Sequence, residues 1–393
     1  LNKYVSEIIK FYDEENKYIA NYFSAEQLSN ILTHMYPDDA VDFLGIISVG
    51  KVKAILNNMK DNQAKELQRL LEYDVESAGG IMTPQFIAFY TDQKAGRVIN
   101  KLRKIVTEPE MIYYLYVISR SKELVGVLSV RQLLAAEPDE LLENIMTENV
   151  IKAMVSQDQE DVARLLSKYD LLAVPVVNKR DQLMGIITVD DAIDVIEEET
   201  TEDIYKMSAT SNIYEHDDIL SAVKKRIPWL LILLIGDLLS GTVIKGFESS
   251  LQAVVTLAIF IPVLMDMGGN AGTQSLTVVV RGLATGDLDF SNFGSHLWQE
   301  VKVGFIMAVV IGCALTMITI LWQGNSILGL VVGVSMFATL LTAVTVGSSI
   351  PFIISALGAD PAIAAGPFIT TLIDITGLFI YFSMATLLLK NLL

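Results

Sequence analysis

The sequence predicts a multidomain membrane protein: an all-α N-terminal domain, an α/β internal repeat, and an α-helical transmembrane domain with five spans. Three observations predict it. First, the 393-residue chain is 52% hydrophobic yet carries a net charge of −17, and these two properties occupy different halves. Residues 224–393 hold seven basic and eight acidic residues, which leaves −16 for residues 1–223. Second, the apolar half contains five long hydrophobic runs in series. Third, a short motif recurs within the acidic half.

Residues 1–77 read as helices, for example Ala25–Met35 and Asn62–Leu71, with Pro37 and Gly45 as breaks. Residues 78–200 hold the repeat. Ile81-Met82-Thr83 returns as Ile145-Met146-Thr147, and LVGVLSV at 124–130 returns as LMGIITV at 183–189. Each copy spans about sixty residues and mixes β-branched runs with helical stretches. Residues 201–223 form a polar, helix-compatible connector, and 224–393 form the membrane part. A strongly acidic front half argues for cations and against nucleic acid as partners. Cys313 stands alone in an apolar run, so one chain can form neither a disulfide nor a thiolate metal site. Leu1 in place of Met predicts a processed or incompletely seen N-terminus, and no signal peptide precedes the acidic half.

A span needs roughly 20 apolar residues. The runs lie at about Ile227–Ile244, Leu251–Val280, Val301–Leu321, Ile327–Leu357 and Ala362–Leu389. Lys224, Lys225 and Arg226 precede the first, and Arg281 and Lys302 flank the loop between the second and third. The positive-inside rule makes both places cytoplasmic, and with them the acidic half. Lys245 and Lys390 run mildly against the rule. Trp229, Trp298 and Trp322 fall at predicted span ends, where an aromatic belt belongs.

Three segments could carry chemistry. The second span contains IPVLMDMGGNAGTQS, with Asp266, Gly268, Gly269, Asn270 and Gly272. Its small residues admit a close helix or an ion path, and its polar groups must face protein or water. The fifth run contains GPFITTLIDITG. Pro367 there removes a helical hydrogen bond and frees carbonyls one turn back. Pro367, Thr370, Thr371, Asp374 and Gly377 share one helical face. Asp374 is an ionisable group near mid-span and a functional candidate by default. Asp237 in the first span is a weaker one, since Ser240 and nearby backbone could satisfy it. The third segment is the acidic run from Asp190 to Asp203. If helical, it lines Asp191, Asp194, Glu198 and Glu202 on one face with few basic residues nearby. Such a face is either solvated or neutralised by divalent cations, and oxygen ligands without Cys or His suit Mg2+ or Ca2+.

Together these residues resemble the MgtE Mg2+ channels over essentially the whole chain. The most specific matches are PVLMDMGGNAGTQS, the stretch DPAIAAGPFITTLIDITG, and Thr188-Val189-Asp190-Asp191 with Thr201-Glu202-Asp203. The resemblance implies that the repeat is a tandem CBS pair, that the chain forms a homodimer in the lipid of a cell membrane, and that one pore lies at the subunit interface. It implies hydrated Mg2+ at Asp374, with Gly366, Pro367, Thr370, Thr371, Gly268 and Asn270 lining the pore. Gly366 stands where some members carry Asn, which leaves only a carbonyl there. The regulatory Mg2+ ligands implied are Glu160, Asp170, Asp191, Glu202 and Asp203, with Asp38, Asp39 and Asp74 contributing from the helical domain. Intracellular Mg2+ bridging these acids holds the channel closed. Some members also bind ATP in the CBS pair, which places Thr188 and Asp191 beside ribose and phosphate.

Other classes remain on the table at this stage. An intramembrane aspartyl protease would use Asp237 and Asp374 as a proton-sharing pair, but the flanking residues do not resemble one and the acidic half would have no role. A nucleotide-sensing membrane protein without transport, or a transporter of Co2+, Mn2+, Ni2+ or Ca2+, also fits parts of the pattern. The lack of His or Cys at the pore argues against a soft-metal path.

Overall fold

In the computed structural model, which describes residues 16–105, 114–210, 219–289, 291–364 and 366–389, the acidic half begins as a series of short helices. They are α1 (Asn16–Tyr22), α2 (Ala25–Leu32), α3 (Pro37–Gly45), α4 (Val49–Asn57) and α5 (Asp61–Leu70). Ser24 caps α2 and Gln27 returns the bond, which fixes that helix start. Pro37, expected to break a helix, instead opens α3, because the first helical position has no hydrogen bond to lose. Leu28, Ile31, Phe43, Leu44, Ile55, Leu67 and Leu70 are buried together. Their cluster continues into Ala78, Met82, Val174 and Ile187.

The repeat follows, built from β1 (Ala88–Tyr90), α6 (Ala95–Ile105), β2 (Tyr114–Ile118), β3 (Leu124–Ser129), α7 (Val130–Ala135) and α8 (Leu142–Ile145). The second copy is β4 (Ala153–Met154), α9 (Gln159–Lys168), β5 (Ala173–Val177), β6 (Leu183–Thr188) and α10 (Val189–Met207). Each copy makes a three-stranded sheet, ordered β1-β2-β3 and β4-β5-β6. In each, the first pair is parallel and the second antiparallel. The registers match position for position. Tyr114 faces Ser129 as Ala173 faces Thr188, and each ladder shifts before its last pair.

The recurring Ile-Met-Thr motif joins the copies crosswise. Thr83 exchanges backbone hydrogen bonds of 2.8 and 2.9 Å with Ile186, in the second copy's β6. Thr147 does the same with Val127, in the first copy's β3, at 2.9 and 3.0 Å. Met82 lies against Gly185 and Met146 against Gly126, so close that a Cβ on either glycine would collide with the methionine. The motif therefore recurs because each copy is finished by the other's leader.

The chain divides into two units, Leu1–Glu199 and Thr200–Leu393. In the second, five long apolar segments are suited to cross a membrane: Ile219–Gly246, Val255–Ala284, Phe293–Gln323, Ser326–Ala356 and Gly366–Leu388. The helices are α11 (Ile219–Gly246), the short α12 (Glu248–Ala253), α13 (Ile261–Ala284), α14 (Phe293–Gln323), α15 (Ser326–Ala356) and α16 (Gly366–Leu389). A 3-10 turn, Val255–Phe260, leads into α13. The helix of the first span begins earlier than its apolar run, so Lys224, Lys225 and Arg226 lie inside α11. The connector 201–223 is helical at both ends, as the tail of α10 and the start of α11. Residues 211–218 lie outside the described residues.

Helix α15 packs on α13, α14 and α16, and α16 in turn carries α11. Close approach explains the small residues. A Cβ on Gly347 of α15 would collide with the carbonyl of Gly272 of α13, so this crossing requires glycine at 347. Of the described residues of α11, Ser240 alone is buried, and its leucines and isoleucines form an apolar outer face. Trp298 and Trp322 are exposed toward the two ends of α14, and Lys302 lies 5.4 Å from the Trp298 ring centroid.

Candidate ion pathway and acidic connector

The last span starts with a short polar turn. Asp360 caps the 3-10 turn Pro361–Ile363 by accepting the Ala362 N–H at 2.8 Å. Helix α16 then begins at Gly366, with Pro367 as its second residue. This corrects the expectation of a span from Ala362 broken at Pro367. In the first turn a proline forfeits no intrahelical bond and its fixed φ suits the helix, so it initiates the span. Ala362 and Ile363 ahead of it lie in the 3-10 turn and not in the helix of the span.

One turn on, the Thr370 and Thr371 hydroxyls both donate to the Pro367 carbonyl, at 2.8 and 3.0 Å. With their protons committed to the backbone, both Oγ atoms keep lone pairs that can accept a hydrogen bond. A further turn brings Asp374, half-buried. This face thus offers a carboxylate and two hydroxyl acceptors, the groups that the water shell of Mg2+ needs, since bound water donates hydrogen bonds. The charged groups near enough to act on Asp374 are Asp237 of α11 and Asp266 of α13. Among the described residues, no three His, Cys, Asp or Glu side chains come close enough to hold an ion directly.

The glycines of α13 do different work from Asn270. Gly268 is buried, and a Cβ there would meet Ile373 and Thr339 at 2.9 Å. Gly269 and Gly272 likewise abut Thr370 and Ile369. Within one chain Gly268 is therefore part of the seam between α13, α15 and α16 rather than a wall of an open path. Asn270 and Asp266 are exposed on the other side of α13, linked by a 3.2 Å hydrogen bond. Gly366 is buried. A Cβ there would lie in contact with Thr273 Cγ2 at 3.3 Å and the Met207 carbonyl at 3.4 Å.

Of the residues expected to regulate, Glu160, Asp170 and Asp191 belong to the first unit, and Glu202 and Asp203 to the second. Glu160 pairs with Arg164 at 2.5 Å, one turn along α9. Asp170 is exposed just after α9, in left-handed backbone with φ 51°. Asp191 accepts from both the backbone N–H and the hydroxyl of Thr188, so the pair expected beside a nucleotide also caps α10. Ser129 and Gln132 cap α7 in the same way in the first copy. Gln159 donates to Glu199 at 2.7 Å and ties α9 to α10. Glu202 bonds Lys206 at 2.6 Å.

Lys206 escaped the reading from sequence, which saw few basic residues near the acidic run. A Glu four residues before a Lys on a helix was the available signal. Its second partner, Asp360 at 2.7 Å, is far away in the chain. Burial works to lower the Lys206 pKa, but the Asp360 and Glu202 carboxylates outweigh it and hold the ammonium above the usual lysine range.

Comparison with known proteins matches most of the chain. Residues 261–384 match a family described as divalent cation transporters, residues 4–76 match the MgtE intracellular N domain, and residues 78–139 and 142–198 match CBS domains. A magnesium transporter MgtE from Bacillus subtilis is 40% identical over 362 residues, covering 92% of this chain and 80% of its own length. One from Thermus thermophilus is 39% identical over 328 residues, covering 83% and 73%. Among solved structures, the soluble part of a magnesium transporter is 36% identical with a TM-score of 0.48, covering 50% of this chain and 78% of its own. The cytosolic domain of the Mg2+ channel MgtE in complex with ATP is 31% identical with a TM-score of 0.47, covering 50% and 80%. The protein is a multi-pass membrane protein with a cytoplasmic N-terminal part, and a transporter rather than an enzyme. The chain belongs to the MgtE family of magnesium transporters, and Mg2+ is its cargo.

Proposed function

We propose that Mg2+ crosses a cell membrane in hydrated form along the α16 face of Thr370, Thr371 and Asp374, with two copies of this face meeting on the axis of a homodimer. Mg2+ dehydrates reluctantly, so a path for it is best lined by acceptors for its water rather than by a full ligand cage. The observation that carries this reading is the single half-buried carboxylate at membrane depth, one turn from two hydroxyls whose protons are already committed. The seam glycines, Gly268 among them, let α13 and α16 approach closely. Asn270 and Gly366 flank the path.

Regulation follows from charge. Glu160, Asp170, Asp191, Glu202 and Asp203 are the acids we assign to intracellular Mg2+. When Mg2+ is scarce they repel and the cytoplasmic domains loosen; when it is abundant, bridging ions favour the closed form. This is a population shift, driven by tighter Mg2+ binding to that form. ATP would bind in the CBS pair beside Thr188 and Asp191, and a melting-temperature shift with ATP is its check.

The test is flux into proteoliposomes holding a Mg2+-sensitive dye, comparing wild type with Asp374→Asn. The carboxamide keeps the size and removes the charge, so flux should fall to background. Equal flux in both would move the selective site elsewhere, with Asp266 next in line.

A further inference from the structure

We infer that Asp237, on the first span, is a second carboxylate of the Mg2+ route, set beside Asp374 by the crossing of α11 on α16. The inference rests on the route proposed above and deepens it by adding a residue from another helix.

A glycine fixes the crossing. A Cβ on Gly236 would collide with the methyl of Thr371, so the two helices meet at the level of the hydroxyl pair of α16. Helix α11 packs on α16 through Leu233, Gly236 and Ser240, which recur at helical spacing and are less exposed than the residues around them. Asp237 lies at the edge of that stripe. Its charge is near enough to act on Asp374, which follows Thr371 by about one turn.

Asp237 has no structural task within the chain. Ser240, one turn on, was the group that could have satisfied it, but that hydroxyl donates to the Gly236 carbonyl at 3.5 Å. Among the described residues nothing hydrogen-bonds to or pairs with the Asp237 carboxylate. Asp266, by contrast, is bonded to Asn270. Asp237 is exposed and sits near the middle of the apolar run from Ile227 to Ile244, a depth at which contact with lipid is costly. Exposed, unpartnered and at membrane depth, the carboxylate needs water beside it. The route along Thr370, Thr371 and Asp374 supplies that water.

Its role follows from the hydration of the ion. Mg2+ holds its water tightly, so a second acid acts through the water shell rather than as a direct ligand. It raises the local concentration of the cation at the level of Asp374. Asp374 then selects the ion, and Asp237 collects it.

The experiment measures Mg2+ flux by the full-length protein in proteoliposomes over a range of Mg2+ concentrations. Asp237→Asn keeps the size and removes the charge. It should raise the half-saturating Mg2+ about tenfold, with a smaller change in maximal flux. Asp237→Glu keeps the charge and should stay within about twofold of wild type. Neither substitution should lower the melting temperature, since neither breaks a bond.

The inference is overturned if the Asn variant keeps the wild-type half-saturation, or if the Glu variant shifts as far as the Asn variant. A joint fall of flux and melting temperature in the Asn variant also overturns it, by making Asp237 a packing residue. Asp374→Asn, measured alongside, separates this inference from the reading beneath it. If that variant loses flux while Asp237→Asn changes nothing, the route stands and the role of Asp237 fails. If Asp374→Asn conducts like wild type, the route along α16 fails. A charge-dependent shift at Asp237 would then still keep this acid on the ion's way, and the lack of one would remove it.

Discussion

Asp191 is expected to serve both as a Mg2+ ligand and as the residue that holds the start of α10, and these roles separate on substitution. Asp191→Ala removes the acceptor for the Thr188 N–H and hydroxyl. Loss of a helix-start acceptor costs about 1 kcal/mol. Thr188 is only 4% exposed, and leaving its buried donors unpaired adds at least about 1 kcal/mol. The first turn of α10 should therefore open about 2 kcal/mol more easily. That is roughly a thirtyfold loss of amide protection, at tenfold per 1.4 kcal/mol. Asp191→Asn keeps an acceptor and gives up only the charge that favours a helix N-terminus, about 0.5 kcal/mol. Hydrogen exchange read by mass spectrometry on peptides covering Val189–Glu199 measures both variants. Tryptophan fluorescence would not serve, because Trp229, Trp298 and Trp322 all lie in the second unit. If Asn opens the turn as much as Ala, charge rather than the hydrogen bond holds the helix start and the argument fails. If both variants leave protection unchanged, the capping role itself is refuted. Mg2+ inhibition should weaken in both, so only the Asn variant reads regulation without loss of structure.

Two further outcomes are expected. Burial holds the Tyr116 phenol above its usual range, with Tyr114 adding to the shift, and its hydroxyl finds no hydrogen-bond partner. The folded state therefore keeps this proton longer than the unfolded chain, so the group's titration leaves stability untouched below about pH 10 and erodes it as pH climbs further. Tyr116→Phe should flatten that alkaline loss and stabilise the first unit by about 1 kcal/mol at neutral pH, measured by circular dichroism melts; a less stable Phe variant would contradict this. In the membrane, Thr371→Val keeps the shape while deleting one hydroxyl acceptor. It should slow Mg2+ flux about fivefold with no change in melting temperature, by the worth of one hydrogen bond; unchanged flux would take Thr371 off the path.

What could be read from the sequence follows periodicity and repetition. The five apolar runs and the doubled Ile-Met-Thr motif were visible because both are local patterns, and the acid at 374 stood out against an apolar background. Pro367 was misplaced because an apolar run does not mark where a helix begins, and a first-turn proline looks the same in sequence as a kink. Thr188-Val189-Asp190-Asp191 has the spacing of a capping box, yet acids in an acidic run draw attention as ligands first. The glycines of α13 were open to two readings, and their partners on α15 and α16 put Gly268 in a packing seam. Asp360 could not be tied to Lys206, since 154 residues separate them.

The crosswise junction of Thr83 with Ile186 and Thr147 with Val127 also dictates when the cytoplasmic half can mature. During synthesis the leader at 81–83 emerges long before its partner strand, so the first copy's sheet forms ahead of the bonds that secure its own leader. Completion waits until β6 is made, just before the membrane part of the chain follows. Until then Met82 has no glycine to cover, and the glycine of a neighbouring nascent chain offers the same seat. Crowded translation should therefore favour exchanged dimers joined through these leaders, an assembly hazard that a dilute refolding experiment would never reveal.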